Sequence, residues 1–108
     1  MSGENEKYVE FGIPNKVRLL KFKSDISRLI FQIDAVYLPA WATEIEHLII
    51  SLHTDSTGPS NMSILKLGSD LLDISYVYPY LFVESRAAYG LKIKVNTSPY
   101  YDFDGTLI

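Results

Sequence analysis

The fold is decided by the ten residues from Arg28 to Tyr37, which read RLIFQIDAVY. Every second residue of this stretch is apolar, whereas the residues between them are mixed. Alternation with a period of two is typical of a β-strand with one fully buried face. We therefore predict a strand here whose inward side chains are Leu29, Phe31, Ile33, Ala35 and Tyr37.

Shorter segments with the same period flank this strand, at 17–23, 63–67 and 91–95. In the first of them the alternation places Arg18, Leu20 and Phe22 on one face. The polar residues 55–61 include Asp, Gly, Pro and Asn, each of which favours turn geometry, and they give the strongest turn signal in the chain.

Residues 42–53 fit two structures. One set is spaced as on a helix that Thr43 would cap, namely Ile45, Leu48, Ile49 and Leu52. A second set alternates as on a strand, namely Glu46, Leu48, Ile50 and Leu52. Because the polar loop after His53 would close a hairpin, we favour a strand from about Ile45 and expect at most one short helix, near 39–46.

Seven or eight short strands separated by turns predict an all-β, mainly antiparallel domain, either a β-sandwich or jelly-roll-like. A chain of 108 residues is the size of one domain, so we assign 1–108 to a single β domain. Within it we expect residues 1–7 to be a flexible N-terminal tail and residues 99–108 an extended C-terminal segment.

Composition excludes several classes of protein. The chain has no cysteine, which excludes disulfides, thiolate zinc sites and cysteine nucleophiles. Its apolar runs are far shorter than the roughly 18–20 residues of a membrane span. The net charge of −3 argues against nucleic acid as a partner. The polar N-terminal residues lack the pattern of a signal peptide, so we expect cytoplasmic synthesis and a final location in the cytoplasm or in a virus particle.

Residues 102–108, DFDGTLI, resemble the nucleophile motif D-x-D-G-T of the haloacid-dehalogenase-like phosphatases. The resemblance implies that Asp102 would attack phosphorus and that Asp104 would act as general acid and base. In that family the motif follows an early apolar strand and precedes a long α/β domain, whereas here it follows Ser98-Pro99-Tyr100-Tyr101 and the sequence stops at Ile108. We therefore interpret the segment as an extended strand with an Asp-Gly turn and predict no enzyme activity.

The remaining polar residues give no pattern of a metal or cofactor site. Asp102 and Asp104 begin like a calcium loop, but the further carboxylates of such a loop are missing. His47 and His53 share a face of a strand but stand about 20 Å apart. No glycine-rich phosphate loop occurs. We predict no catalytic, cofactor-binding or metal-binding residues.

Half of the ten basic residues are close together in the sequence, namely Lys16, Arg18, Lys21, Lys23 and Arg28. One interpretation is a guard against aggregation on an edge strand, which lysine commonly provides. The other is a positive surface for an anionic partner protein or nucleic acid. We favour the guard.

Aromatic residues give the main interface prediction. Read as one strand, 73–84 places Tyr76, Tyr78 and Tyr80 in a stripe with Phe82, which we assign to the core. Because proline lacks the ladder donor, this strand is either an edge or broken at Pro79. Tyrosines suit interfaces because they combine an apolar ring with a polar hydroxyl. The C-terminal segment is also rich in apolar residues. The predicted interface consists of Tyr76, Tyr78, Tyr80, Tyr100, Tyr101, Phe103, Leu107 and Ile108.

These features predict a non-enzymatic structural or interaction protein with protein partners, as a homo-oligomer or in a larger assembly. Its most specific form is a small virus or phage particle component, such as a minor capsid, cement or tail subunit. The alternative is a soluble binding module, either an inhibitor or immunity protein or a carbohydrate-binding sandwich that uses the tyrosine stripe.

Overall fold

The computed structural model describes residues 6–11, 16–23, 28–53, 61–86 and 89–108. These form nine strands in two antiparallel sheets, one of five strands in the order β1-β8-β3-β4-β5 and one of four in the order β6-β7-β2-β9. The predicted all-β sandwich is confirmed. The strands are β1 (Glu6–Phe11), β2 (Lys16–Phe22), β3 (Leu29–Tyr37), β4 (Ile45–His53), β5 (Asn61–Gly68), β6 (Leu72–Val77), β7 (Tyr80–Ser85), β8 (Leu91–Asn96) and β9 (Tyr101–Leu107).

The inward side chains of both sheets form one hydrophobic core. The alternation predicted for β3 is confirmed, since Phe31, Ile33 and Ala35 are buried and Leu29 and Tyr37 are half-buried. Aromatic rings join the two layers at one end of the core. The ring of Phe22 lies 6.0 Å from Phe31, 5.8 Å from Tyr76 and 5.6 Å from Tyr101.

Residues 45–53 form a strand, as favoured from their alternation. Glu46, Leu48, Ile50 and Leu52 are its buried positions. Turn residues precede this strand at 38–41, and no helix occurs in the described part of the chain. β4 pairs with β5 from Glu46–Gly68 to His53–Asn61. Most of the polar turn predicted at 55–61 lies outside the described residues.

The predicted face of β2 is wrong in part, because a bulge interrupts its alternation. Between Arg18 and Leu20 the register with β7 shifts by one residue. Two residues of one strand then oppose one residue of the other, which turns both Leu19 and Leu20 inward. Arg18 therefore lies on the outer face, opposite to Leu20 and Phe22.

The N-terminal strand was not predicted. Glu6 and Lys7 belong to β1, which pairs with β8 over its whole length. The predicted tail at 1–7 therefore needs correction at these two residues, and residues 1–5 lie outside the described part of the chain.

The segment 73–84 is broken at Pro79, which was one of the two alternatives, and it forms a hairpin rather than one strand. β6 ends at Val77, Tyr78 and Pro79 form the turn through a cis peptide bond, and β7 begins at Tyr80. Reversal of the chain at the proline separates the tyrosines that one strand would have aligned. Phe82, assigned to the core, is only half-buried, while its neighbours Leu81 and Val83 fill the core instead.

β9 contains the D-x-D-G-T sequence and is an edge strand beside β2. Arg18 pairs with Thr106 and Leu20 with Phe103, so Asp104 and Gly105 together oppose one residue of β2. Gly105 has φ +75°, a conformation that glycine adopts without steric cost. The Asp104 carboxylate accepts hydrogen bonds from the backbone and the hydroxyl of Thr106. These residues form a bulge in an edge strand.

Candidate functional site

The predicted interface residues do not form one surface. Tyr76 faces the core beside Phe22, Tyr78 lies in the hairpin turn, and Tyr80 is half-buried on the outer face of the four-stranded sheet. Tyr101 is buried and Phe103 packs against the core. Three residues near the C-terminus are exposed, namely Tyr100, Leu107 and Ile108. A common tyrosine stripe is therefore absent from this sheet.

Three of the five residues of the basic row, Lys16, Arg18 and Lys21, lie on the interior strand β2, whereas Lys23 follows this strand and Arg28 precedes β3. β2 stands between β7 and β9, so its lysines do not guard an edge, and the favoured interpretation of the row is wrong. Arg18 donates from Nε to Asp104 Oδ2 at 2.7 Å and lies over the Tyr80 ring at 4.7 Å. The Lys16 ammonium lies 5.0 Å from the centre of the Phe82 ring.

Acidic residues on neighbouring strands balance this row. Lys23 lies 3.5 Å from Asp102, and Lys16 pairs in register with Glu84. Partial burial raises the pKa of Asp104, but hydrogen bonds from Thr106 and Arg18 outweigh it and the net pKa is lowered. Ion pairs with Asp104 and Asp102 therefore neutralise part of the positive charge of the row, at Arg18 and Lys23.

A polar network occupies the outer face of the five-stranded sheet around Asp34. Its Oδ1 lies 2.6 Å from His47 Nδ1 and accepts a hydrogen bond from Gln32 at 2.7 Å, and its Oδ2 lies 3.4 Å from Lys94 Nζ. Partial burial raises the pKa of Asp34, but the hydrogen bonds from His47, Gln32 and Lys94 lower it further than burial raises it.

A shallow groove of about 300 Å³ borders this network. Val36 and Ile45 supply its apolar part, and Lys92 lies 4.5 Å from the centre of the Tyr8 ring at its side. The Asp34–His47 pair is an arrangement that can orient an imidazole as a base. Tyr8 is the only hydroxyl-bearing side chain among the described residues that line the groove.

The open side of β5 is an edge of the sandwich with exposed apolar side chains. β5 pairs with β4, and no further described strand pairs with its other side. Leu65 and Leu67 face outward at 54% and 46% exposure. In register they lie beside Ile49 and His47 of β4. We call the unpaired backbone of Asn61–Gly68 together with Leu65 and Leu67 the β5 edge.

The single charged residue of β5 is turned back into the molecule. Lys66 Nζ donates to Asp70 Oδ1 at 2.7 Å and to the carbonyl oxygen of Leu72 at 2.6 Å. Edge strands commonly resist pairing by presenting lysine to solvent. Here the lysine instead binds residues at the connection between β5 and β6, which leads to the other sheet. The exposed side chains of Leu65 and Leu67 on the β5 edge therefore remain without a neighbouring charge from this strand.

A buried carboxylate holds the same connection from the inside. Glu46 is fully buried, and its Oε1 accepts hydrogen bonds from the backbone of Leu71 at 3.1 Å and Leu72 at 3.0 Å. Its Oε2 has no hydrogen-bond partner among the described residues. Burial raises the pKa of Glu46, although the two backbone hydrogen bonds and Lys66 partly oppose this.

Within the described ranges, no group of three or more His, Asp and Glu side chains is placed to hold a metal ion. The described residues also contain no helix that could cross a membrane. Comparison with known proteins gives no match to a protein-family model, a curated protein or a solved structure. The candidate site therefore depends on the geometry alone.

Sequence reasoning missed the β5 edge, although a signal for it was present. The eight residues NMSILKLG contain one charge and no proline, which is the composition of an unguarded strand. The order of strands within the sheet was needed to show that this strand is an edge. The pairing of Asp34 with His47 depends in the same way on the register of β3 with β4.

Proposed function

We propose that this protein is a non-enzymatic assembly component that associates with a second copy of itself through the β5 edge. The observation that carries the proposal is the coincidence, on one strand, of an unpaired backbone with the exposed side chains of Leu65 and Leu67. Each feature supplies one part of an interface, since the backbone gives a ladder of hydrogen bonds and the leucines give apolar area to bury.

A second copy fits this edge because antiparallel pairing of a strand with itself is self-complementary about a two-fold axis. Lys66 does not oppose such pairing electrostatically, since Asp70 neutralises it at 2.7 Å. The resulting dimer has a continuous sheet of ten strands, with Leu65 and Leu67 of both copies on one face.

The most specific form of this function is a small component of a virus or phage particle, such as a minor capsid, cement or tail subunit. Since a two-fold contact through one edge closes on itself, such a particle would use the β5 dimer as its building unit and a second surface to join the units. The alternative of a soluble inhibitor or immunity protein uses the same edge with a different partner. The carbohydrate-binding alternative depended on a tyrosine stripe, and the hairpin at Pro79 removes that basis.

Sedimentation equilibrium at several protein concentrations tests the proposal. We expect a reversible dimer of the wild-type chain and a monomer of the double variant Leu65→Lys and Leu67→Lys. Both side chains are exposed, so the variant should keep the far-UV circular dichroism and the melting temperature of a dilute, monomeric wild type.

Leu107→Lys is the matched control, since Leu107 is 52% exposed on the edge strand of the other sheet. This variant should dimerise like the wild type. A wild-type chain that stays monomeric up to the highest concentration measured overturns self-association. Equal loss of the dimer in the control assigns the contact to another surface and overturns the role of β5.

A further inference from the structure

A second pocket lies at the opposite end of the outer face of the five-stranded sheet from the Asp34 network. It has a volume of about 250 Å³ and lies where β3 begins, β4 ends and β5 begins. The described residues that line it are Arg28, Ser51, Leu52, His53, Asn61 and Ser63.

The strand register brings the polar members of this set together. Ser51 pairs with Ser63, and His53 pairs with Asn61. Directly opposed residues on antiparallel strands have their Cβ atoms about 4.5–5.5 Å apart. Arg28 immediately precedes Leu29, which pairs with Leu52, so the guanidinium group starts beside the end of β4.

The described lining residues provide hydrogen-bond donors and one positive charge. A guanidinium group, two hydroxyls and a side-chain amide can all donate hydrogen bonds. No aspartate or glutamate occurs among the described lining residues. Both other described arginines, in contrast, have a carboxylate nearby, since Arg18 lies 2.7 Å from Asp104 and Arg86 lies 3.0 Å from Asp73.

We propose that this pocket binds the phosphate group of a small molecule. The Arg28 guanidinium supplies the charge and a planar pair of donors that matches two oxygens of the anion. The hydroxyls of Ser51 and Ser63 and the amide of Asn61 donate to the remaining oxygens. Arg28 and Ser51 lie on or beside strands within the sheet, whereas Asn61 and Ser63 belong to the β5 edge, so the binding test uses protein concentrations at which the chain is monomeric.

Titration with inorganic phosphate tests the inference, with chloride replaced at constant ionic strength and backbone amide shifts followed by NMR. We expect saturable shifts confined to residues near 51–53 and 61–63. Arg28→Gln should weaken the affinity about tenfold or more, because a charge-assisted hydrogen bond is lost. The double variant Ser51→Ala and Ser63→Ala should weaken it without any change of charge.

Arg86→Gln is the matched control, since Arg86 is exposed and lies 3.0 Å from Asp73 near the other sheet. It should leave the affinity unchanged. Equal weakening by both arginine variants, or shifts that spread over the surface without saturation, would show only general charge attraction and overturn the site. Glycerol phosphate that binds as tightly as inorganic phosphate extends the site to phosphate esters, whereas equally tight binding of acetate contradicts a phosphate site.

Discussion

β5 and β9 are edge strands of similar length, with eight and seven residues, on different sheets of the same sandwich. β9 is tied to the molecule by Tyr101 and Phe103 on its inner side and by the Arg18–Asp104 ion pair on its outer side. β5 carries two exposed leucines on its outer side, and its single charge is directed to Asp70.

The difference shows two ways in which a sheet can end. β9 contains a bulge at Asp104–Gly105, and a bulge twists a strand and interrupts the regular ladder that another chain would need. The pairing of β5 with β4 continues without a register shift from Glu46–Gly68 to His53–Asn61. β9 therefore closes its sheet, whereas β5 leaves its sheet open to continuation.

The largest expected effect on stability concerns the inner side of β9. Tyr101 is 4% exposed, its ring packs on Phe22 and Phe31, and its hydroxyl donates to the Asn96 carbonyl at 2.6 Å. Tyr101→Ala should lower the free energy of unfolding by about 3–5 kcal/mol, as for other buried aromatic residues. Deletion of residues 100–108 should destabilise the protein further. Urea denaturation measures both.

Tyr100→Ala is the control on the same segment, since that side chain is 53% exposed. It should change the free energy of unfolding by no more than about 0.5 kcal/mol. If Tyr101→Ala is as mild as this control, β9 does not belong to the cooperative core and the contrast with β5 fails.

β5 and β9 each contain one glycine with positive φ, and substitution of the two glycines by alanine should lower the stability unequally. Gly68 has φ +98°, and a Cβ there would lie 2.3 Å from the Ile45 carbonyl oxygen. Gly105 has φ +75°, and its Cβ would meet the Phe103 ring at 2.9 Å. A ring can move, whereas a backbone oxygen paired in a sheet cannot.

Gly105→Ala should therefore lower the free energy of unfolding by about 1–2 kcal/mol, the usual penalty of the left-handed conformation. Gly68→Ala should lower it by clearly more than Gly105→Ala does. Thermal denaturation of both variants checks the order. The reverse order would mean that the end of β5 adjusts more easily than the bulge of β9.

The sequence predicted the features that depend only on local alternation. The buried faces of β3, β4 and β8 follow directly from residues such as Ile33, Leu48 and Ile93, because a strand buries every second residue whatever its neighbours. The bulge at Leu19 and the hairpin at Pro79 break that alternation, and both depend on the partner strand that the chain finds.

The candidate site was less predictable for the same reason. Whether a strand is an edge follows from the order of the whole sheet, so the row at Lys16–Lys23 was assigned to an edge and β5 was not. Arg28, Ser51 and Ser63 come together only through the register of three strands. No spacing within the sequence indicates this.

Substitution of the two aspartates of β9 should lower the free energy of unfolding by smaller and unequal amounts. Asp104 binds Arg18 at 2.7 Å and is largely shielded, whereas Asp102 is mostly exposed and lies 3.5 Å from Lys23. Asp104→Asn should lower the free energy of unfolding by about 1 kcal/mol and Asp102→Asn by close to zero. The net pKa of Asp104 is lowered, so its contribution is complete above the ordinary aspartate range and is lost as the pH falls. Urea denaturation at pH 7 and pH 3 should show that the two variants differ less in their free energy of unfolding at the lower pH. A difference that stays constant between the two pH values contradicts this role of the ion pair.

A pH-dependent effect concerns the connection between β5 and β6, which Glu46 holds through the backbone of Leu71 and Leu72. Because burial raises the pKa of Glu46, the folded protein favours its protonated form. The stabilisation by that proton is complete below the ordinary glutamate range and is lost as the pH rises through the raised pKa. Glu46→Gln retains an oxygen acceptor for the two amides and has no charge to bury. Its stability relative to the wild type should therefore increase from pH 4 to pH 8, measured by thermal denaturation at each pH.

Glu46→Ala, which removes the acceptor, should be destabilised at every pH by about 1–3 kcal/mol for each amide left unpaired. If Glu46→Gln instead loses stability relative to the wild type as the pH rises, folding lowers the pKa of Glu46 rather than raising it, and burial does not control the titration of this group.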